Sequence, residues 1–208
     1  MALFRLGIAT EKLHVIRGDG LLLRPFESRD FDQWAQLRDK SRDFLVPWEP
    51  TWGSDDLTRS AFRRRVRRNE DEIIRDEAYP LLIFREADGT LLGGLTLGQV
   101  RRGVSQTATL GYWMGEPHAG RGHMGKAVRL ASVYAFASLR LHRIEAACLP
   151  TNMRSVRLLE SAGFRREGLA RSYLRINGIW QDHVLYARLD SDPAPPPVRN
   201  KPALFDGA

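Results

Sequence analysis

A segment near the middle of the chain admits few folds. Leu110-Gly111-Tyr112-Trp113-Met114-Gly115 reads as the end of a strand, and His118-Ala119-Gly120-Arg121-Gly122-His123-Met124-Gly125-Lys126-Ala127 as a glycine-rich turn opening a helix. Glycine lets backbone approach a ligand closely, and the first amides of a helix have no partner within it, so they point at an anion. Arg121 and Lys126 add positive charge. The loop is therefore a candidate anion site, with a plain helix entry as the alternative. It is not a P-loop, because Lys126 is not followed by Ser or Thr and the glycine spacing differs. Gly120, Gly122 and Gly125 do have Gly-x-Gly-x-x-Gly spacing. They stand after several strands, however, and no acidic residue ends a following strand about twenty residues on, so a doubly wound dinucleotide fold is excluded.

Around this segment the pattern gives short elements. Leu21–Pro25 reads as a strand, with an arm or edge strand in residues 1–18 before it. A helix capped by Ser28 carries Phe31, Trp34, Ala35 and Leu37. Phe44–Pro50 is a stiff aromatic loop. Ser54-Asp55-Asp56 is expected to open a second helix with Phe62, Val66, Ile73 and Ile74 on its buried stripe and Arg63, Arg64, Arg65, Arg67 and Arg68 crowding its first half. Strands follow at 79–86, 91–99 and 107–115, with Asp88-Gly89 as a hairpin turn. After the glycine loop come a helix, a strand at 144–149, and a helix begun by Asn152 and ended by Gly163. Two strands at about 170–176 and 180–189 flank Asn177-Gly178, a type I′ turn signal. The order β-α-α-β-β-β-α-β-α-β-β describes a single α/β domain of the mixed α+β kind.

At 208 residues one domain is the expectation, here residues 1–190. Residues 191–208 are proline-rich and aperiodic, and are expected to form a disordered tail. The single cysteine, Cys148, rules out an intrachain disulfide framework and a Cys-rich zinc site, and no metal is assigned. The longest near-apolar run, Leu130–Leu139, is far short of the ~20 residues needed to span a bilayer. No signal-like N-terminus is visible, so the cytoplasm is the default. The net charge of +7 comes mainly from 28 Arg against 4 Lys. Such a balance suits RNA or an anionic cofactor, or simply solvated arginine faces.

Residues 12–190 resemble the GCN5-related N-acetyltransferases (GNAT). That family binds the pyrophosphate of acetyl-CoA on a (Gln/Arg)-x-x-Gly-x-(Gly/Ala) loop. Here Gly122 matches the first glycine, Ala119 stands in place of Gln or Arg, and Met124 in place of Gly or Ala, with Gly125 next. Asn152-Met153-Arg154-Ser155, Leu158–Gly168 and Asn177–Leu185 resemble the ribosomal-protein N-terminal acetyltransferases. Phe44–Pro50 and Val100–Gly103 resemble the RimJ branch of that RimJ/RimL-type group.

The resemblance implies a mostly antiparallel seven-stranded sheet flanked by about four helices. It implies acetyl-CoA as acetyl donor, held by residues among Trp113, Met114, Gly115, Gly120, Arg121, Gly122, His123, Met124, Gly125, Lys126 and Asn152. It further implies direct attack on the thioester by a protein α-amine, on a ribosomal protein with N-terminal alanine. A small amine or antibiotic is the alternative acceptor, and an RNA-binding ribosome-assembly factor the alternative class, with the Arg63–Arg68 run as its contact face. An α-amine has a pKa of about 7.7–8 against about 10.4 for lysine, so it needs less help to become neutral. A backbone N–H within Trp113–Gly115 is expected to face the thioester oxygen. Ser155 matches the family's leaving-group donor. Glu49, in the Pro-Trp-Glu-Pro loop, is the candidate base, with Glu116, Glu167 and Asp182 behind it. His183 and Cys148 read as structural.

Overall fold

A computed structural model describes residues 14–195. Its strands are β1 (Ile16–Gly18), β2 (Leu21–Pro25), β3 (Tyr79–Arg85), β4 (Leu91–Arg101), β5 (Thr107–Met114), β6 (Arg143–Cys148), β7 (Arg165–Ile176) and β8 (Ile179–Leu189). Its α-helices are α1 (Phe31–Lys40), α2 (Arg42–Leu45), α3 (Arg59–Ile74), α4 (His123–Ala137) and α5 (Met153–Ser161). One mixed sheet runs in the order β1-β2-β3-β4-β5-β6-β8-β7. All neighbours are antiparallel except β5 and β6. The expected seven strands become eight because Ile16–Gly18 pairs with β2 as a short edge. Residues 1–13 and most of the expected tail, 196–208, lie outside the described residues.

The sheet is covered on both faces. One face packs under α4 and α5 in a cluster holding Leu95, Leu97, Leu110, Ala127, Val128, Ala131, Ile144 and Leu159. The other packs under α1 and α3, with Phe26, Trp34, Phe62, Val66, Leu82 and Phe84. Trp34 and Phe62 rings lie 4.9 Å apart. β3 is buried nearly throughout, as a strand covered on both faces must be.

Several ends follow from local chemistry. At the end of α5 the Phe164 amide donates to the Leu159 carbonyl and the Gly163 amide to Glu160, with Gly163 at φ +86°. That is the paired closure in which glycine accepts the left-handed position without a Cβ clash. Asn177 and Gly178 both have positive φ, as a type I′ turn requires.

The start of α3 departs from expectation. The helix begins at Arg59, with the Thr58 hydroxyl accepting the Ala61 amide, and not at Ser54-Asp55-Asp56. Asp56 instead accepts the Gly53 amide at 2.8 Å, so the acidic residues stabilise the turn before the helix. Ile74 is 69% exposed, one position past the stripe that ends on Ile73. The aromatic loop also contains a helical turn, α2, before Pro47.

Candidate active site

The site begins where two parallel strands part. β5 and β6 pair from Thr107↔Arg143 to Leu110↔Ala146. Beyond that register β5 continues to Met114 and β6 to Cys148 with no further pairing between them. β4 remains paired with β5 as far as Gly93↔Met114, and the Gly115 amide donates to the Leu92 carbonyl at 2.9 Å. Antiparallel ladders alternate bonded and non-bonded positions. Gly111, Trp113 and Gly115 therefore bond to β4, while the amides of Tyr112 and Met114 turn toward the gap. Of the expected oxyanion donors Trp113–Gly115, only Met114 has its N–H directed there.

A hydroxyl pair stands beside the gap. The Tyr112 and Ser155 hydroxyls are 2.5 Å apart. Ser155 lies in the first turn of α5, whose N-cap is Asn152: its side-chain oxygen accepts the Ser155 amide at 3.1 Å. Burial pushes the Tyr112 phenol well above its ordinary pKa, against a smaller opposing effect from Ser155. Tyr112 is therefore protonated and can donate to Ser155, which leaves the serine's own hydrogen free for another acceptor. Cys148, on the same side, is buried and pushed up to about 11, first by burial and then by Glu160. It is a neutral thiol at physiological pH, consistent with a core role. Sequence reading missed Tyr112, since only the fold brings positions 112 and 155 together.

The glycine loop lies at the same end of the sheet. Gly120 and Gly122 both have positive φ (+74° and +78°), and Gly122 is the N-cap of α4. His123 opens the helix, and Gly125 and Lys126 follow within its first turn. Met124 is 6% exposed and belongs to the core, so only its backbone can serve the loop. Arg121 is exposed beside the loop. Burial depresses the pKa of His118 most, followed by the positive charges of Arg85, Arg121 and Lys40. Burial likewise depresses His123, followed by Lys126, Arg85, His118 and Arg121. Both imidazoles are thus neutral in a strongly positive field. Arg85 reaches this field from the end of β3, which no local motif announced.

A second depression opens on the α1/α3 face. It has a volume of about 370 Å³ and is lined by residues that include Trp34, Arg38, Glu49, Trp52, Arg65, Thr96 and Trp113. The Trp113 indole lies across Gly94, where a Cβ would come within 2.4 Å of its Nε1, so the strand must carry glycine there. Glu49 faces this cleft with its carboxylate occupied. Arg38 donates to both of its oxygens at 2.7 Å, and Trp52 Nε1 donates to one at 2.8 Å. The Arg38 guanidinium also stacks 4.1 Å from the Trp52 ring and 4.9 Å from Trp113. The tip of the β7–β8 hairpin closes against this wall, the Asn177 amide donating to the Glu49 carbonyl at 2.9 Å.

The other carboxylates considered lie elsewhere. Glu167 is paired with Arg143, Asp182 accepts the Ser172 amide, and Glu116 is exposed. His183 is 3% exposed, with Nδ1 2.9 Å from the Gln181 carbonyl. Among the described residues no group of three or more His, Cys, Asp or Glu gathers to hold a metal. Among them, too, no helix is long and apolar enough to cross a membrane.

A mixed sheet parted between two parallel strands, with a glycine-rich helix entry at the mouth of the gap, defines an N-acetyltransferase. The chain belongs to the acetyltransferase (GNAT) family, whose domain model matches residues 20–165. It is 39% identical over 178 residues to "Probable N-acetyltransferase YjcK" of Bacillus subtilis, covering 86% of this chain and 98% of the relative. It is 33% identical over 177 residues to the [ribosomal protein uS5]-alanine N-acetyltransferase of Escherichia coli, covering 85% and 91%. Among solved structures, Mycobacterium smegmatis RimJ in complex with CoA-disulfide superposes with a TM-score of 0.79 at 32% identity, over 85% of this chain and 86% of that one.

Proposed function

We propose that this protein transfers the acetyl group of acetyl-CoA to the α-amine of a protein N-terminus, with a ribosomal protein bearing N-terminal alanine as the acceptor. The observation that carries this reading is the position of β5 between two sites. The parted edge and glycine loop lie to one side of it, and the Trp-lined cleft opens on the α1/α3 face. The named activity of the E. coli relative points to the same acceptor class.

The residues fit a diphosphate-bearing thioester. The left-handed glycines expose the amides at the start of α4, and Arg121, Lys126 and Arg85 supply countercharge. Asn152 keeps its side-chain nitrogen for the pantetheine arm while its oxygen caps α5. Acetyl-CoA supplies the activated acyl group. The Met114 amide donates to the carbonyl oxygen as it gains charge on attack by the amine nitrogen. As the new C–N bond forms and the C–S bond breaks, Ser155 donates to the departing sulfur, with Tyr112 holding the serine hydroxyl in the donating orientation, and the proton that the attacking nitrogen sheds passes to solvent, balancing the one the thiolate takes up. Glu49 is the carboxylate placed in the acceptor cleft. Clamped by Arg38 and Trp52, it is assigned here to holding the cleft wall and not to taking the proton. A fraction of an α-amine is already neutral near pH ~7.7–8, so the reaction needs little basic assistance.

Calorimetric titration with acetyl-CoA, followed by thiol-release assays, tests the reading. It requires donor binding and turnover on an N-terminal alanine peptide, with none on the same peptide capped at its N-terminus. Donor binding without turnover on the free peptide would reject the protein acceptor.

A further inference from the structure

Among the described residues, the acceptor cleft contains one arginine with no hydrogen-bonded or ion-paired carboxylate. On α3, Arg63, Arg64, Arg67 and Arg68 are exposed, and Arg64 and Arg68 pair with Asp55 and Glu72. Arg65 differs. It is half-buried and lines the cleft, with its guanidinium 5.1 Å from the Trp34 ring. Among the described residues it has no hydrogen-bonded or ion-paired carboxylate, whereas Arg38 beside it is clamped to Glu49. The charged groups that face it are Arg38 and Arg68, which repel it, and Asp56 and Glu49, which attract it from outside bonding distance. Burial and the two arginines together lower its pKa from the ordinary arginine value.

A half-buried guanidinium in the wall of a cleft, with no carboxylate bonded to it, is placed to take an anion from outside. Its planar fork suits a carboxylate, and the Trp34 ring 5.1 Å away lies against the guanidinium. Asp56 and Glu49 stand in the same cleft and would repel a dianion, so a singly charged carboxylate is favoured over a phosphate.

We propose that Arg65 determines acceptor specificity by binding a carboxylate side chain within the first residues of the acceptor peptide. The inference rests on the assignment of this cleft to the acceptor. It adds to that assignment that the acceptor is acidic close to its amine.

The test uses N-terminal alanine peptides that differ only by Asp or Asn at one of the positions following the alanine. For the wild-type enzyme the Asp peptide should exceed its Asn partner in kcat/KM by about tenfold at one position, the scale of a charge-assisted hydrogen bond. Arg65→Gln should reduce that ratio to near one, and Arg65→Lys should keep part of it by retaining charge without the fork. Acetyl-CoA affinity and melting temperature serve as folding controls. A wild-type ratio near one at every position would overturn the proposal, as would an equal ratio in Arg65→Gln. If acetyl-CoA binds but no peptide is acetylated, the protein-acceptor reading fails separately. The same comparison then runs on free amino acids against their carboxamides. A carboxylate preference lost in Arg65→Gln sustains the role of Arg65, and its absence rejects it.

Discussion

The two regions flanking β5 are made of different material. The region proposed for the donor is mostly backbone: amides freed where β5 and β6 part, two left-handed glycines, and the first turns of α4 and α5. The region proposed for the acceptor is mostly side chain: Arg38 from α1, Glu49 and Trp52 from the following loop, Arg65 from α3 and Trp113 from β5. A backbone site tolerates variation in its side chains so long as the glycines and the strand parting remain. A side-chain site can be rebuilt by single substitutions. On the proposed assignment, donor identity is fixed by the fold and acceptor identity is set by a few long residues.

The largest effect should come from breaking the donor region. Gly122→Glu puts a side chain at φ +78°, which costs about 1–2 kcal/mol, and adds negative charge where the diphosphate would lie. Acetyl-CoA affinity should fall by about 100-fold or more, equivalent to roughly 2.7 kcal/mol, when measured by calorimetry. Unchanged affinity would refute the loop assignment.

A smaller loss is expected from the hydroxyl pair. Ser155→Ala should lower kcat by about 100-fold, the low end of general acid catalysis, and Tyr112→Phe by about tenfold, because it only orients the serine, while donor affinity stays nearly constant. Equal loss of affinity and turnover would make both residues merely structural.

The acceptor region should respond in the opposite sense. Glu49→Gln weakens the anchor on Arg38, and acceptor KM should rise by about tenfold with donor affinity unchanged. Melting temperature should drop, because removing one partner leaves a mostly buried guanidinium poorly matched. If kcat falls instead, with KM constant and the acidic limb of its pH profile lost, Glu49 is the base that the sequence suggested.

The smallest effect concerns pH. His118 and His123 are held neutral, their pKa values depressed by burial and by neighbouring cations. A bound diphosphate offsets that positive field and raises both values, so donor binding takes up protons. Affinity for acetyl-CoA should therefore rise by about two- to threefold as pH falls from about 8 to about 6, across the ordinary histidine range. Replacing both histidines with Gln should flatten this slope.

The same difference of material decides what the sequence discloses. The elements around the glycine loop and α5 were legible because their signals are local: Gly120 and Gly122 ahead of an apolar helix, Asn152 three residues before Ser155, Gly163 at a helix end; Asn177-Gly178 marked the β7–β8 turn in the same way. The fold followed from these elements, with the edge strand expected within residues 1–18 forming only at Ile16–Gly18 and the start of α3 displaced. There Thr58 was overlooked because Asp55 and Asp56 are also good capping residues, and only the turn at Gly53 shows which role they take. Tyr112 and Arg85 escaped notice because a position on a strand carries no sign of what the adjoining helix or loop brings to it. Arg65 was hidden for another reason. It sits in a run of five arginines, and helical periodicity alone turns it inward from its neighbours.

The most direct measurement is the location of the transferred acetyl group. A peptide with a free N-terminal alanine and an internal lysine is incubated with enzyme and acetyl-CoA, and the product is fragmented in a mass spectrometer. A single acetyl group is expected, on the α-nitrogen of alanine. Acetyl on the lysine side chain, or none despite measured donor binding, would contradict it.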